Sequence, residues 1–168
     1  DLRVCLADED PEQRWPGLAR RLRADVRGHR STLVFANSRR TVEKVARLLD
    51  EDQPTQLAYS HHGSLSRELR QVVEERLKAG QLRSIVATSS LELGIDVGAV
   101  DQVALVGSPT SAMSAVQRLG RSGHAVGETS SGRLYPLHGR DLLQAGVLAR
   151  AVVEGAIEEV RPVGPALD

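Results

Sequence analysis

Short apolar runs alternate with amphipathic helical stretches along this chain, and this alternation limits the possible folds more than any other feature. Residues 30–36 form an apolar run of strand length, and residues 41–49 then carry apolar side chains at a helical period. Further strands are predicted at 55–60, 84–87, 102–106 and 133–137, and further helices at 66–79, 111–119 and 141–153. Such an order with short links is typical of a parallel sheet with helices on both faces. We therefore predict an α/β domain of three layers with a mostly parallel sheet.

The two ends of the chain are predicted to lie outside this domain. Residues 1–29 contain Pro16 and an arginine-rich helical stretch, which we expect to pack on the edge of the sheet as an N-terminal segment and first helix. Residues 30–160 would form the α/β domain itself, and residues 161–168 a linker to a downstream domain. Because the chain starts without Met and finishes in a Pro/Gly-rich tail, both ends are expected to be cuts in a longer protein.

Composition and charge argue against several classes of protein. The 22 basic and 22 acidic residues balance, which disfavours wrapping of nucleic acid by bulk charge but allows a local basic strip. Cys5 is the only cysteine, so an internal disulfide is excluded and a cysteine metal site is disfavoured, as fits a reducing cytoplasm. Apolar runs stay well short of the ~20 residues that cross a bilayer. We predict a cytoplasmic protein with no membrane partner and no metal site of its own.

The loops that follow the predicted strands share small hydroxyl, amide and basic side chains. They are residues 37–40, 61–65, 88–90 and 107–110. In a parallel sheet these loops lie at the carboxyl ends of the strands, where ligands bind. Because hydroxyls, backbone N–H groups and cations are the usual phosphate donors, this edge is predicted to bind phosphates.

Residues 117–124 carry the most informative segment, Gln-Arg-Leu-Gly-Arg-Ser-Gly-His. Arg118 and Arg121 lie three residues apart and would share one side of a helical turn. Two guanidiniums beside a glycine turn suit the charge on a transferring phosphoryl group. Taken in isolation, the same segment also fits a solvated arginine pair at the end of a helix.

Residues 87–96 form a second segment, Ala-Thr-Ser-Ser-Leu-Glu-Leu-Gly-Ile-Asp. Its three hydroxyls follow a predicted buried strand and could bind a phosphate chain. Beyond them, Gly94 is followed by Asp96, whose carboxylate could accept a hydrogen bond from a ribose hydroxyl. The alternative for this segment alone is a short N-capped helix with a surface aspartate.

Four segments occur in the order of the motifs of superfamily 2 helicases and resemble them. Residues 33–40 resemble motif IV, 61–66 the adjoining motif with its His-Gly pair, 87–96 motif V and 117–124 motif VI. Their residues, Asn-Ser-Arg-Arg, His-His-Gly-Ser-Leu-Ser, Leu-Glu-Leu-Gly-Ile-Asp and Gln-Arg-Leu-Gly-Arg-Ser-Gly-His, are similar to the Lhr (large helicase-related) family. The resemblance covers residues 31–140. It implies a RecA-like fold, as the second motor domain of an ATP-dependent DNA helicase or translocase.

The resemblance also implies roles for individual residues. Arg121 and Gln117 would reach the γ-phosphate of ATP as catalytic groups, with Arg118 as their neighbour. Gly94 and Asp96 would bind the nucleotide through its ribose. Contacts to one nucleic-acid strand through its phosphates would come from Asn37, Ser38, Arg39, His62, Gly63, Ser64, Thr88 and Ser89. Such contacts give affinity without sequence choice, which a translocase requires.

Two assignments concern histidines: which residue serves as the arginine finger, and which of His61 and His62 faces the strand. His124 stands where related helicases commonly carry a second finger arginine, and a neutral imidazole supplies no fixed charge. We therefore assign the finger role to Arg121 and leave His124 as a helper at the nucleotide. His61 and His62 are adjacent, so in an extended segment their side chains point to opposite sides. Of the two, His62 is predicted to face the strand.

The sequence lacks the Gly-x-x-x-x-Gly-Lys-Thr loop and the Asp-Glu-x-His pair that hold ATP and Mg²⁺. The resemblance places both ligands mainly on the first motor domain, so the isolated chain is predicted to be inactive. Its expected partners are single-stranded DNA, that first RecA-like domain and a downstream winged-helix domain.

Three alternatives remain open from the sequence. An RNA-directed helicase would grip phosphates in the same way. A non-enzymatic nucleic-acid-binding module could keep the motor fold, although Gln117, Arg121 and Asp96 argue against it. A flavodoxin-like binder of small molecules would need a phosphate loop after its first strand, and residues 37–40 make a poor one.

Overall fold

A computed structural model describes residues 2–7, 10, 12–91, 100–122 and 130–155. The strands are β1 (Leu2–Val4), β2 (Thr32–Ala36), β3 (Ala58–His61), β4 (Ser84–Ala87), β5 (Gln102–Val106) and β6 (Gly132–Tyr135). The helices are α1 (Arg14–Gly28), α2 (Arg39–Asp50), α3 (Arg67–Lys78), α4 (Ala112–Leu119) and α5 (Gly139–Glu154), with a 3₁₀ turn at Ser89–Leu91.

The six strands form one sheet in the order β1-β6-β5-β2-β4-β3, and every neighbouring pair is parallel. The two central strands, β2 and β5, are buried at every position. Strands covered on both faces need apolar residues throughout, as the continuous runs in the sequence indicate. The predicted parallel α/β sheet is confirmed.

Alternate residues of β2 enter two different cores, one on each face of the sheet. Val34 and Ala36 pack in the core that contains residues of α1 and α2, such as Leu22 and Val45. Leu33 and Phe35 pack in the opposite core, formed with residues of α3, α4 and α5. This period-two division produces the three predicted layers.

Residues before β2 add an edge strand that the sequence did not predict. β1 has only three residues, two of them exposed, and pairs with β6 far along the chain. Three residues are too few to show a recognisable alternation of apolar and polar side chains. The strand is held in place by its pairing with β6. The helical stretch that follows is α1, and it tolerates Pro16 because this residue lies in the first turn. Among the described helices, none is long and apolar enough to cross a membrane.

Side-chain acceptors shift the ends of two predicted strands. The strand predicted at 55–60 begins only at Ala58, because Asp50 Oδ1 accepts hydrogen bonds from the N–H groups of Leu57 and Ala58. The strand predicted at 133–137 ends at Tyr135, and the N–H of Leu137 donates to Asp141 Oδ2 over 2.6 Å.

Candidate functional site

The loops after four neighbouring strands lie along one edge of the sheet. Since all strands are parallel, their carboxyl ends share this edge, and the register aligns Ala36 with Val106 and His61 with Ala87. The loops that begin at Gly107, Asn37, Thr88 and His62 therefore follow one another in the order β5, β2, β4, β3. Neighbouring strands are about 4.8 Å apart, so the four loops form one continuous ridge. We call it the carboxyl edge.

Three helices begin at the carboxyl edge with a serine cap. Ser38 Oγ accepts from the N–H of Thr41, Ser66 Oγ accepts from Leu69, and Ser111 Oγ accepts from the third residue after it. Ser66 was predicted as the start of its helix. The first turns of α2, α3 and α4 thus direct the positive ends of three helix dipoles to the same edge. That arrangement favours an anionic ligand along the ridge.

Asn37 and Arg118 connect the carboxyl edge to α4. The Asn37 side chain donates to the carbonyl of Ser108 over 2.7 Å and accepts from Arg118 Nη1 over 3.0 Å. Arg118 is only 4% exposed, and its guanidinium lies 5.4 Å from the centre of the Phe35 ring. These contacts hold the Arg118 side chain against the sheet, where it positions Asn37. The catalytic role predicted for Arg118 stays a prediction.

An open cavity of about 390 Å³ lies beside this pair. Its lining combines candidate residues from both predicted sites with further hydroxyl groups: Asn37, Ser89, Thr110, Ser111, Met113, Ser114, Gln117 and Arg118. Most of these groups are hydroxyls or amides, which suit phosphate or sugar oxygens. The structure thus brings Gln117 and Arg118 close to two predicted strand-binding residues, Asn37 and Ser89.

Arg121 lies at the other end of α4. This helix of eight residues runs for about 12 Å from the carboxyl edge back towards the amino ends of the strands. Beyond its last turn, the carbonyl of Arg121 accepts from the N–H of Val100, which precedes β5, and Ser122 pairs with the same residue. The Arg121 side chain is half-buried. α4 therefore links the predicted strand-binding loops to the predicted finger arginine.

The end of β3 places two buried histidines between helices. His61 is fully buried and points to α3, with Nε2 2.8 Å from Glu74 Oε1. His62 points to α2 on the other face, with Nε2 3.3 Å from Glu43 Oε1 and 5% of its side chain exposed. The opposite directions agree with the expected alternation. The strand contact predicted for His62 stays a prediction, now for a ring buried beside Glu43.

Glu43 also binds a residue predicted to contact the strand. Arg39 Nε donates to Glu43 Oε1 over 3.0 Å, and the Arg39 side chain remains 59% exposed. The hydrogen bond from Arg39 holds the pKa of Glu43 below its usual range, with a smaller contribution from His62. Sequence reasoning missed Glu43, although its position four residues after Arg39 on a predicted helix is a recognisable signal.

The remaining strand-binding candidates are backbone or hydroxyl groups on the ridge. Gly63 and Ser64 are exposed, and a Cβ placed on Gly63 would meet no atom of the described chain within 4 Å. Thr88 is half-buried and its N–H donates to the carbonyl of His61, whereas Ser89 is exposed. These positions leave room for a phosphate to approach the backbone.

A buried aspartate at the same edge was not predicted. Asp141 is 5% exposed and accepts from the N–H of Ser108 over 2.9 Å. Gly107, just before that serine, has φ +79°, and a Cβ there would lie 3.5 Å from Asn37 Nδ2. Asp141 thus fixes the loop whose Ser108 carbonyl holds Asn37. A signal was present in the acidic residue of the first turn of α5.

Three predicted nucleotide-binding residues, Gly94, Asp96 and His124, lie outside the described residues, as does the predicted linker at 161–168.

Comparison with known proteins yields one family. Residues 18–126 match the model of the helicase conserved C-terminal domain. The chain is 40% identical to the Lhr helicase/probable uracil glycosylase of Mycolicibacterium smegmatis, over 95% of this chain and 13% of the relative. It is 38% identical to the ATP-dependent helicase Lhr-Core of Methanothermobacter thermautotrophicus, over 98% of this chain and 20% of the relative.

A solved structure shows the same similarity in three dimensions. The structure of the Mycobacterium smegmatis helicase Lhr bound to ssDNA and AMP-PNP superposes with a TM-score of 0.89 and 45% sequence identity. The match covers 96% of this chain and 22% of that chain. This chain therefore spans between 13% and 22% of the length of each of these matched chains.

Proposed function

Because this chain belongs to the helicase conserved C-terminal domain family and is of the Lhr type, we propose that it acts as the second motor domain of an ATP-dependent DNA helicase or translocase. In this role it grips one nucleic-acid strand by its phosphates along the carboxyl edge. It also supplies Arg121 to ATP bound between it and the first motor domain. DNA is the preferred strand because the Lhr structure with 45% identity was solved with ssDNA.

The carboxyl edge is the observation that supports strand binding. Three serine-capped helices start there, and the exposed Arg39 adds a full positive charge. Helix N-termini, hydroxyls and an arginine contact phosphates irrespective of the base attached. A ridge of four adjacent loops therefore suits a strand that must move past the domain rather than stay at one sequence.

The nucleotide part of the proposal rests on α4 and the residue after its end. Gln117 lines the polar cavity, and the half-buried Arg121 lies one turn further along. A guanidinium at this place would stabilise the charge on the γ-phosphate once the two motor domains close. ATP would be bound jointly, with Gly94, Asp96 and His124 at the nucleotide and Mg²⁺ held by the first motor domain.

Coupling between strand and nucleotide follows from the position of α4. Its first turn borders the carboxyl edge, whereas Arg121 follows its last turn. Arg118, within the same helix, is hydrogen-bonded to Asn37 on the ridge. A shift of the strand-binding loops would therefore move the helix that carries the finger arginine, as ATP-dependent translocation requires.

Binding of a labelled single strand at a series of salt concentrations tests the proposal. We expect the logarithm of the binding constant to fall linearly with the logarithm of salt concentration, with a slope of about −0.7 per phosphate contacted. Strands of different sequence should bind within about threefold of each other, since phosphates carry no sequence information. Binding that ignores salt, or that depends strongly on sequence, would exclude a phosphate-gripping track.

A further inference from the structure

Helices α1 and α2 concentrate positive charge in a chain with no net charge. α1 carries five arginines and one aspartate, and α2 carries four basic and two acidic residues. The α1 aspartate, Asp25, is 3% exposed and bonded to Tyr135 and Arg133. Its charge is thus neutralised within the domain, and the charged side chains that α1 presents to solvent are all arginines. We call this outer surface the α1–α2 face; it includes Arg20, Arg21, Arg40, Lys44 and Arg47.

The acidic residues of α2 are engaged elsewhere as well. Glu43 lies at the carboxyl-edge end of the helix, where it contacts Arg39 and His62. Asp50, in the last turn, accepts hydrogen bonds from the N–H groups of Leu57 and Ala58, at the start of β3. Glu43 lies one turn from Arg40 and from Arg47, but among the described residues neither carboxylate forms an ion pair with Arg40, Lys44 or Arg47.

Arg40, Lys44 and Arg47 form a row on one side of α2. Their spacing of four and three residues places them on successive turns, over about 10 Å. Burial lowers the pKa of Lys44, and the charges of Arg40 and Arg47 lower it further, because the three cations repel one another. Within the described part of the chain, neither Arg40 nor Arg47 has a carboxylate partner. A row of three cations with a single nearby carboxylate, Glu43, keeps a net positive charge and fits a polyanion with regularly spaced charges.

The one tryptophan of the chain shows which polyanion fits best. Lys44 Nζ lies 3.6 Å from the centre of the Trp15 ring, so the cation covers the aromatic face. Trp15 is the only aromatic residue of the two helices, and so they offer no open ring on which an unpaired base could stack. Single strands gain much of their affinity from such stacking, whereas a duplex keeps its bases stacked on one another and presents phosphates at twice the charge density.

We propose that the α1–α2 face binds the phosphate backbone of a nucleic-acid duplex adjoining the single strand on the carboxyl edge. The choice of nucleic acid as the polyanion rests on the function proposed above. The row starts at Arg40, next to the Arg39 assigned to the strand, so the two surfaces are continuous. A duplex arm would leave the ridge along α2, and the motor domain would hold it by charge alone.

Removal of two of these cations, Arg40 and Arg47, tests the proposal. Lys44 is left in place so that the emission of Trp15, whose ring it covers, can report the approach of phosphates. The double variant Arg40→Gln, Arg47→Gln is compared with a control that loses the same charge from the opposite face, Arg76→Gln with Arg150→Gln. All four side chains are exposed, so both variants should fold. The probes are a DNA duplex of about 20 base pairs and a thymidine strand of the same length.

The α1–α2 variant should bind the duplex about tenfold more weakly near 0.1 M salt, with a salt slope shallower by about 2. The control should stay within about twofold of wild type, and both should bind the strand within about threefold of it. Trp15 emission of wild type should change on titration with duplex, since phosphates would approach the lysine that covers the ring.

Equal duplex affinity of the two variants, or Trp15 emission unaffected by duplex, would overturn the inference. If, in that case, wild type still binds the single strand and this binding depends on Arg39, only the duplex site on the α1–α2 face is refuted. The proposed function then stands. If the strand does not bind at all, the proposed function fails, and the duplex titration still decides the present inference separately.

Discussion

Arg118 Nη1 donates a hydrogen bond to Asn37 Oδ1 over 3.0 Å, and this contact joins two residues 81 positions apart in the chain. It connects the loop after β2 with the middle of α4. Asn37 in turn donates to the carbonyl of Ser108, in the loop after β5. A single buried arginine thus fixes the relative positions of two ridge loops and of the helix that precedes Arg121.

Replacement of Arg118 by Met should destabilise the domain. The change keeps much of the side-chain bulk but removes the hydrogen bond to the exposed Asn37, a loss of about 1 kcal/mol in the free energy of unfolding. Urea denaturation followed by circular dichroism measures it. The exposed Arg76→Met serves as control and should stay within about 0.5 kcal/mol of wild type. Equal midpoints for the two variants would show that the contact contributes nothing.

Local pattern was enough to predict the sheet and the edge of it on which the candidate loops lie. The apolar runs that became β2, β4 and β5 are buried on both faces, and parallel pairing then places the loops after them on one edge. The predicted Ser66 cap of α3 depends only on neighbouring residues and is present as well. These features follow from interactions within a few residues or from topology rules.

Long-range contacts explain what the sequence could not predict. The spacing of Arg118 and Arg121 indicates a shared side of a helix, but not that Phe35 and Asn37 would hold Arg118 inside. At Gly132, the first residue of β6, a Cβ would lie 2.0 Å from Leu119 Cδ2, so a larger residue there would require Leu119 to move. Nothing near residue 132 in sequence signals that approach.

The buried His61 predicts how stability changes with pH. Burial lowers its pKa, against the opposing effect of Glu74, so the folded-state pKa lies below the unfolded value of about 6.5. As the pH falls through about 6.5, the unfolded chain binds the proton first, and the free energy of unfolding decreases. It reaches its low-pH level once the folded pKa has been passed.

Urea unfolding at about pH 7.5 and about pH 5.5 measures this decrease. The variant His61→Gln removes the titrating group and should lose less stability between the two pH values than wild type does. Arg76→Gln, at an exposed position, removes no group that titrates in this range; it is the control and should keep the wild-type difference. A wild-type pH dependence in the His61 variant would mean that another group is responsible.

Opposite effects on strand binding are expected from the two members of the Arg39–Glu43 pair. Arg39→Ala should weaken single-strand affinity and make the salt slope shallower by about 0.7–0.9, as for one lost phosphate contact. Glu43→Gln should strengthen binding by about threefold, because Arg39 no longer has to leave an exposed ion pair. Fluorescence anisotropy with a labelled thymidine strand measures both.

The ion pair of Arg150 with Glu154 provides a matched control for this experiment. It has the same i,i+4 spacing, with a distance of 2.8 Å, but lies on α5. Arg150→Ala and Glu154→Gln should each leave strand affinity within about twofold of wild type. If Glu43→Gln weakens binding as Arg39→Ala does, the carboxylate orients Arg39 for the phosphate rather than competing with it.

Loss of Arg121 should abolish turnover without abolishing nucleotide binding. In an enzyme that contains both motor domains, Arg121→Ala should lower the nucleic-acid-stimulated ATPase rate by about 10³-fold or more, the range for a lost arginine finger. The affinity for ATP should change only a few-fold, because the guanidinium acts on charge that develops in the transition state. Steady-state hydrolysis and equilibrium binding of a fluorescent ATP analogue separate the two effects. Arg39→Ala in the same enzyme should instead weaken the affinity for the strand and leave the nucleotide site intact, since Arg39 lies on the carboxyl edge, whereas Arg121 follows the far end of α4. Weakened ATP binding with normal turnover in the Arg121 variant would place this arginine in nucleotide binding and remove it from catalysis.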